Sequence, residues 1–121
     1  MSQNITDAEL EVMRVLWRNK RAMTLAELRA ELTQMKGWNK STIQTLVGRL
    51  RGKGIIEPLD KYGAAQYVPL VTEDEYILAA EKAVLEKFGN GKTLAMAMVR
   101  NGHLTDSDID ELREYFSMGK G

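Results

Sequence analysis

The sequence predicts a mainly α fold carrying one small β-hairpin, and three observations predict it. Four Thr residues are each followed three positions later by an acid: Thr6/Glu9, Thr24/Glu27, Thr72/Glu75 and Thr105/Asp108. The first three match the capping box, in which the Thr oxygen and the acid side chain each satisfy a backbone N–H left unpaired in a helix's first turn; the Asp version is shorter and weaker. Ile43, Leu46, Val47 and Leu50 fall at the i, i+3, i+4, i+7 spacing of one buried helical stripe. Two short segments, Ile55–Lys61 and Ala64–Leu70, flank Tyr62-Gly63 and read as the hairpin.

Each capping pair also has an apolar residue before the Thr and another four residues into the helix: Ile5/Leu10, Met23/Leu28, Val71/Tyr76 and Leu104/Ile109. That is the hydrophobic staple, which fixes the direction in which the chain enters a helix. The first helix is expected over Asp7–Arg18 with Leu10, Met13, Leu16 and Trp17 inward, and the second over Leu25–Met35 with Leu28 and Leu32 inward. A third begins near Asn39–Ser41 and stops at Gly54, a residue suited to the left-handed conformation that ends a helix. Pro58 and Pro69 have no N–H to donate, so each belongs on an edge strand or at a strand end. Beyond Val71 the chain reads as helical over Glu73–Phe88, Lys92–Asn101 and Asp106–Met118, broken by Gly89, Gly91 and Gly102.

Net charge is zero over 121 residues, but the two halves are electrically opposite. Residues 1–71 carry 11 Lys and Arg against 7 Asp and Glu, whereas residues 72–121 carry 6 against 10. Lys36, Lys40, Arg49, Arg51 and Lys53 occupy a 36–54 stretch without a single acid, where phosphate contacts are expected. A solvated basic helix face is the plainer alternative. No cysteine is present, so disulfides and thiolate metal ligands are excluded, and the lone His103 cannot build a metal site by itself. No metal site and no cofactor are expected. The acids Asp106, Asp108, Asp110 and Glu111 suit the first turn of a helix through its dipole and lack the spacing of a calcium loop. Without a positioned nucleophile or acid–base pair, no enzymatic activity is expected. The N-terminus lacks the segments of a signal peptide and the longest apolar run, Leu94–Val99, cannot span a bilayer, so a soluble cytoplasmic protein is expected.

Three helices followed by a hairpin is the order of a winged helix-turn-helix, whose third helix enters the major groove of DNA while the hairpin lies along the backbone. With the apolar stripe turned inward, Lys40, Ser41, Thr42, Gln44, Thr45 and Arg49 are left outside. Gln pairs bidentately with adenine and Arg with guanine; Thr offers a methyl to thymine and a hydroxyl to phosphate. Gly48 on the same side lets the backbone approach DNA closely, at about 1 kcal/mol of helix propensity. A winged-helix module that binds protein and no longer binds DNA is the alternative reading.

The run from Gly37 to Gly54, Gly-Trp-Asn-Lys-Ser-Thr-Ile-Gln-Thr-Leu-Val-Gly-Arg-Leu-Arg-Gly-Lys-Gly, resembles the recognition segment of the BlaI/MecI penicillinase-repressor family. Ile5 to Met13 with Leu16-Trp17 resembles its opening helix, and Ser107 to Leu112 its last. This resemblance implies a DNA-binding transcriptional repressor acting as a homodimer on an inverted-repeat operator, with control of a resistance or stress operon. It implies a winged helix-turn-helix DNA-binding domain over 1–71 and a helical dimerisation domain over 72–121. Double-stranded operator DNA is then contacted by Trp38, Lys40, Ser41, Thr42, Gln44, Thr45 and Arg49; Arg51 and Lys53 of the basic stretch are expected to meet phosphates, and the wing residues Lys61 and Tyr62 to add backbone or minor-groove contacts. Trp38 reads equally as a structural anchor. Ser41 and Gln44 stand where relatives carry lysine and arginine, so the operator sequence is not carried over with the binding mode.

Leu94–Val99 is apolar all round, and a helix of that kind has to be covered on every side. Fifty residues seldom stabilise a fold alone, so a dimer interface is expected to include Tyr76, Ala80, Val84, Leu94, Met96, Met98, Ile109, Leu112 and Phe116. Packing of this half onto the first within a monomer is the alternative. The resemblance also implies release by proteolysis at an Asn-Phe bond of the penultimate helix, to which Ala97-Met98 corresponds. With that bond substituted, a membrane sensor-protease and a small-molecule inducer both stay open as the releasing partner.

Overall fold

A computed structural model describes residues 4–61 and 63–119. Among the described residues, six helices and three strands run in the order α1 (Asp7–Asn19), β1 (Met23–Thr24), α2 (Leu25–Lys36), α3 (Lys40–Gly52), β2 (Ile56–Lys61), β3 (Ala64–Pro69), α4 (Glu73–Phe88), α5 (Lys92–Arg100) and α6 (Asp106–Ser117). The architecture is mainly α with a small antiparallel sheet, as the sequence predicts.

All four Thr–acid pairs close. Thr6 Oγ1 accepts from the Glu9 N–H at 3.2 Å while Glu9 Oε1 accepts from the Thr6 N–H at 3.0 Å, and Thr24/Glu27 and Thr72/Glu75 do the same. The shorter Asp108 closes both of its bonds too, at 2.8 and 3.1 Å to Thr105. These bonds hold the Glu27 and Asp108 carboxyls below the ordinary carboxylate range, the backbone N–H of the capped Thr being the largest cause in each.

The sheet has the order β1-β3-β2. Its first strand is two residues long, Met23 opposite Tyr67 and Thr24 opposite Gln66, and the sequence reading did not foresee it. Lys61 opposite Ala64 leaves a two-residue connection, and Gly63 takes a left-handed φ of +79°. Tyr62 and the side chain of Lys61 lie outside the described residues. Pro58 sits on the edge strand β2 and Pro69 is the last residue of the central strand β3, the two positions at which a missing N–H costs no ladder bond.

Contacts divide the chain into two compact units, Met1–Ile77 and Leu78–Gly121. The first holds a continuous core: Val12, Met13, Val15 and Leu16 of α1, Met23, Leu28 and Leu32, the α3 stripe Ile43, Leu46, Val47 and Leu50, and then Ile55 and Ile56. Sequence reading places Leu10 and Trp17 inside, whereas both are half-buried and Val12 and Val15 are covered completely. The cause is that α1 packs against α2, α3 and β3 together, so it buries a wider arc than one stripe. Trp17 lies across the edge of this core. Its Nε1 donates to the Val71 carbonyl at 2.9 Å and its ring meets Tyr76 at a centroid distance of 5.7 Å, which fastens the first turn of α4 to α1.

The second unit differs in kind. None of its described residues is buried, and Leu78, Leu85, Met96, Leu112, Tyr115 and Phe116 are each about half exposed or more. The expectation that Leu94–Val99 is covered on every side is therefore not met within one chain: Leu94, Ala97 and Met98 are half-buried and Ala95, Met96 and Val99 exposed. Two neighbouring helices, α4 and α6, cannot enclose the apolar α5 without a further layer.

Candidate nucleic-acid interface

α3 is positioned from both ends. At its start Asn39 Oδ1 accepts from the Thr42 N–H at 2.9 Å and from the Ser41 hydroxyl at 3.1 Å, so the cap is a neutral amide. No acid lies in the first turn, where α1, α2 and α6 all carry one. The partial positive charge of a helix start is thus left uncompensated by this helix's own acids, which favours an anion near it. Ahead of the cap, Gly37 turns at φ +70°, and half-buried Trp38 packs against the core with its carbonyl accepting from Thr33 Oγ1 at 3.0 Å. Lys36 Nζ lies 5.9 Å from the centre of the Trp38 ring, adding a cation beside the start of α3 that the sequence reading counted only as part of a basic stretch.

At the other end Gly54 adopts φ +77°, the Gly54 N–H donates to the Arg51 carbonyl and the Ile55 N–H to the Leu50 carbonyl, both at 3.0 Å. This paired arrangement stops the helix and turns the buried Ile55 back against Leu50, delivering the chain into β2.

Between these anchors Lys40, Ser41, Thr42, Gln44, Thr45, Gly48, Arg49 and Arg51 are all exposed, while the four stripe residues are buried. A Cβ added at Gly48 would meet nothing within 4 Å, so no packing inside the chain asks for glycine there. Eight exposed positions thus present hydroxyls, an amide, cations and one bare stretch of backbone along a single helix. Such a face can hydrogen-bond base edges and phosphates in a groove about 12 Å wide.

Lys53 is placed differently from its neighbours. Its Nζ donates to Glu9 Oε1 and to the Asn4 carbonyl, each at 2.6 Å, so its charge is spent inside the first unit. Glu9, which sequence reading treats only as a capping acid, is fully buried. Burial pushes the Glu9 carboxyl up, but the hydrogen bond and charge of Lys53 together with the Thr6 bonds outweigh it, leaving the group below the ordinary carboxylate range. The only sequence signal for this pair would have been an acid and a base facing one another 44 residues apart, which local patterns do not contain.

The wing contributes little positive charge among the described side chains: β2 exposes Glu57 and Asp60. In the second unit Ala80, Met96, Leu112 and Phe116 are exposed, and Val84, Leu94, Met98 and Ile109 half-buried; Tyr76 is engaged on Trp17 in the first unit. Ala97 and Met98 are both helical, with their carbonyls accepting from the Asn101 and His103 N–H at 3.0 and 2.8 Å. Asp110 pairs with Arg113 at 3.2 Å, and among the described residues no group of His, Asp and Glu is gathered to hold a metal ion.

Residues 5–118 match the model of the family described as penicillinase repressor. The penicillinase repressor of Bacillus licheniformis is 34% identical over 110 residues, spanning 89% of this chain and 85% of that protein. The methicillin resistance regulatory protein MecI of Staphylococcus aureus strain N315 is 32% identical over 111 residues, spanning 90% and 89%. Among solved structures, the monomeric form of Bacillus licheniformis BlaI in complex with the blaP half-operator superposes with a TM-score of 0.54 at 36% identity, covering 60% of this chain and 88% of that one.

Proposed function

The chain belongs to the penicillinase repressor family, and from that premise we propose that it is a DNA-binding transcriptional repressor without enzymatic activity, working in the cytoplasm as a homodimer on an inverted-repeat operator. The observation that carries this reading is the face of α3: every apolar residue of the stripe is inside, and Lys40, Ser41, Thr42, Gln44, Thr45 and Arg49 are outside on a helix whose first turn holds no acid. A relative solved on its half-operator supports it. Residues 1–71 form the DNA-binding domain, with the first turn of α4 fastened to it through Tyr76, and the helices beyond it form the dimerisation domain. Symmetry then demands two identical α3 helices and a site that reads the same on both half-sites.

Titrating salt against binding to random and to selected duplex DNA tests the function. Log affinity should fall linearly with log salt for both, with a slope of about −0.9 for each phosphate neutralised. Binding that ignores salt would favour a protein-interaction module instead.

Two substitutions on α3 have separate expected outcomes. Gln44→Ala should relax preference at one base position by about 1–3 kcal/mol and leave the salt slope unchanged, as read from duplexes selected by each protein. Gly48→Ala should raise unfolding stability by about 1 kcal/mol, because alanine favours helix and the site is empty, yet weaken operator binding through the added methyl. Stability and affinity rising together at Gly48 would show that DNA does not approach the helix there.

A further inference from the structure

Lys53 is the C-cap of α3 and Glu9 the third residue of α1, so the bond between them joins the end of one helix to the start of another. It is one corner of a small polar cluster. Lys53 Nζ reaches Glu9 Oε1 and the Asn4 carbonyl, both at 2.6 Å, and the same Glu9 oxygen accepts from the Thr6 N–H at 3.0 Å. Glu9 is 0% exposed, with no path to a ligand on the surface.

Among the described residues, the side chains of α3 buried in the core are the apolar Ile43, Leu46, Val47 and Leu50. Hydrophobic burial is non-directional, so the Ile43, Leu46, Val47 and Leu50 stripe decides which face of the helix looks inward, and the fine placement along the axis falls to the polar contacts at its ends. A charge-assisted hydrogen bond is short and directional. Placed at the C-cap of α3, it sets how far along its axis, and at what roll, the helix presents Gln44, Thr45 and Arg49. A displacement of a fraction of an ångström matters there, because bidentate bonds to base edges tolerate little misplacement.

We propose that the Glu9–Lys53 pair positions α3 for base reading, so that Lys53 acts by placing the helix and not by touching phosphate, and buried Glu9 is a determinant of operator discrimination. This role rests on the DNA-binding reading of α3 given above. It removes Lys53 from the phosphate contacts expected from the basic stretch.

The test uses full-length wild type, E9Q, K53M, K53R and the double variant E9Q/K53M. The probes are a duplex selected from a random pool by the wild type and an unselected random duplex, titrated at several salt concentrations under conditions where circular dichroism shows each protein folded. E9Q and E9Q/K53M should lower the ratio of selected to random affinity by about tenfold, what one mismatched base pair costs, with the salt slope of the wild type retained. K53R, which keeps the charge and a donor, should retain most of the discrimination. Should a single variant fail to fold, the double variant decides, since it buries neither charge alone. A double variant that discriminates as well as the wild type would make the pair merely structural and overturn the proposal. So would a K53M salt slope lowered by about one alongside an unaffected E9Q, which would mark Lys53 as a phosphate contact. Wild type lacking salt-dependent DNA binding altogether would instead overturn the DNA-binding reading, and this role with it.

Discussion

Truncated after Ile77, the chain should fold, remain monomeric and lose affinity for a full inverted-repeat site by about 10²–10⁴-fold, while binding a single half-site as the intact protein does. The cut follows the boundary between the two compact units and keeps Tyr76 on Trp17, so the exposed indole edge stays covered. Among the described residues, every fully buried apolar side chain lies before it. What is lost is the second unit, whose exposed Leu112, Tyr115 and Phe116 are 48%, 61% and 67% accessible in the single chain. Joining two DNA-binding units converts the second binding event into an intramolecular one, which is the source of the affinity difference. Sedimentation and titration of half-site and full-site duplexes measure both parts of the expectation. A truncated protein that still sediments as a dimer would move the interface into the first unit.

Lys53→Ala should lower unfolding stability by about 3 kcal/mol near neutral pH, a large effect for one residue that is partly exposed. The cause lies in what remains: Glu9 Oε1 keeps the Thr6 N–H but loses the ammonium, and Oε2 is buried without a hydrogen-bond partner among the described residues already in the wild type, so the carboxylate's main compensation is gone. Its pH dependence has a definite sign. In the wild type the Glu9 carboxyl is held below its unfolded value, so its contribution is present above the ordinary carboxylate range and is lost as pH falls through the folded value. In the variant the hydrogen bond and charge of Lys53 no longer lower the Glu9 carboxyl, so it titrates higher than in the wild type and protonation relieves part of the cost. The gap between the two proteins should therefore be widest at neutral pH and narrow on acidification through the carboxylate range. Urea unfolding at a series of pH values reads it, and a gap that stays constant with pH would show that lost packing of the lysine stem, not charge, explains the destabilisation.

Helix starts were legible in the sequence because their chemistry is local. A Thr, an acid three residues on and two flanking apolar residues specify a cap whatever surrounds it, and Thr6, Thr24, Thr72 and Thr105 all begin helices. The outward face of α3 was legible for the same reason, since a 3.6-residue period assigns the inner and outer faces together. Three features were not legible. Met23–Thr24 is too short to show a period of two and becomes a strand only because β3 offers an edge to it. Val12 and Val15 lie off the expected stripe and are buried on a helix that packs against three elements, α2, α3 and β3, a number no helical pattern announces. Glu9 already had a complete local explanation as a capping acid, which concealed its partnership with Lys53 across the fold.

The absence of any buried side chain among the described residues after Ile77 bears on how such a chain lives in a cell. In the dimer proposed above, a half without an interior of its own would draw its stability from association, and association depends on how many copies are present. Dilution then acts as a denaturant. Paired copies would then persist, whereas solitary ones would offer exposed Phe116 and Met118 to the quality-control machinery that removes partly folded chains. The amount of protein is thereby bounded from below: under a threshold set by the dimer equilibrium, each further loss of copies speeds the loss of the rest.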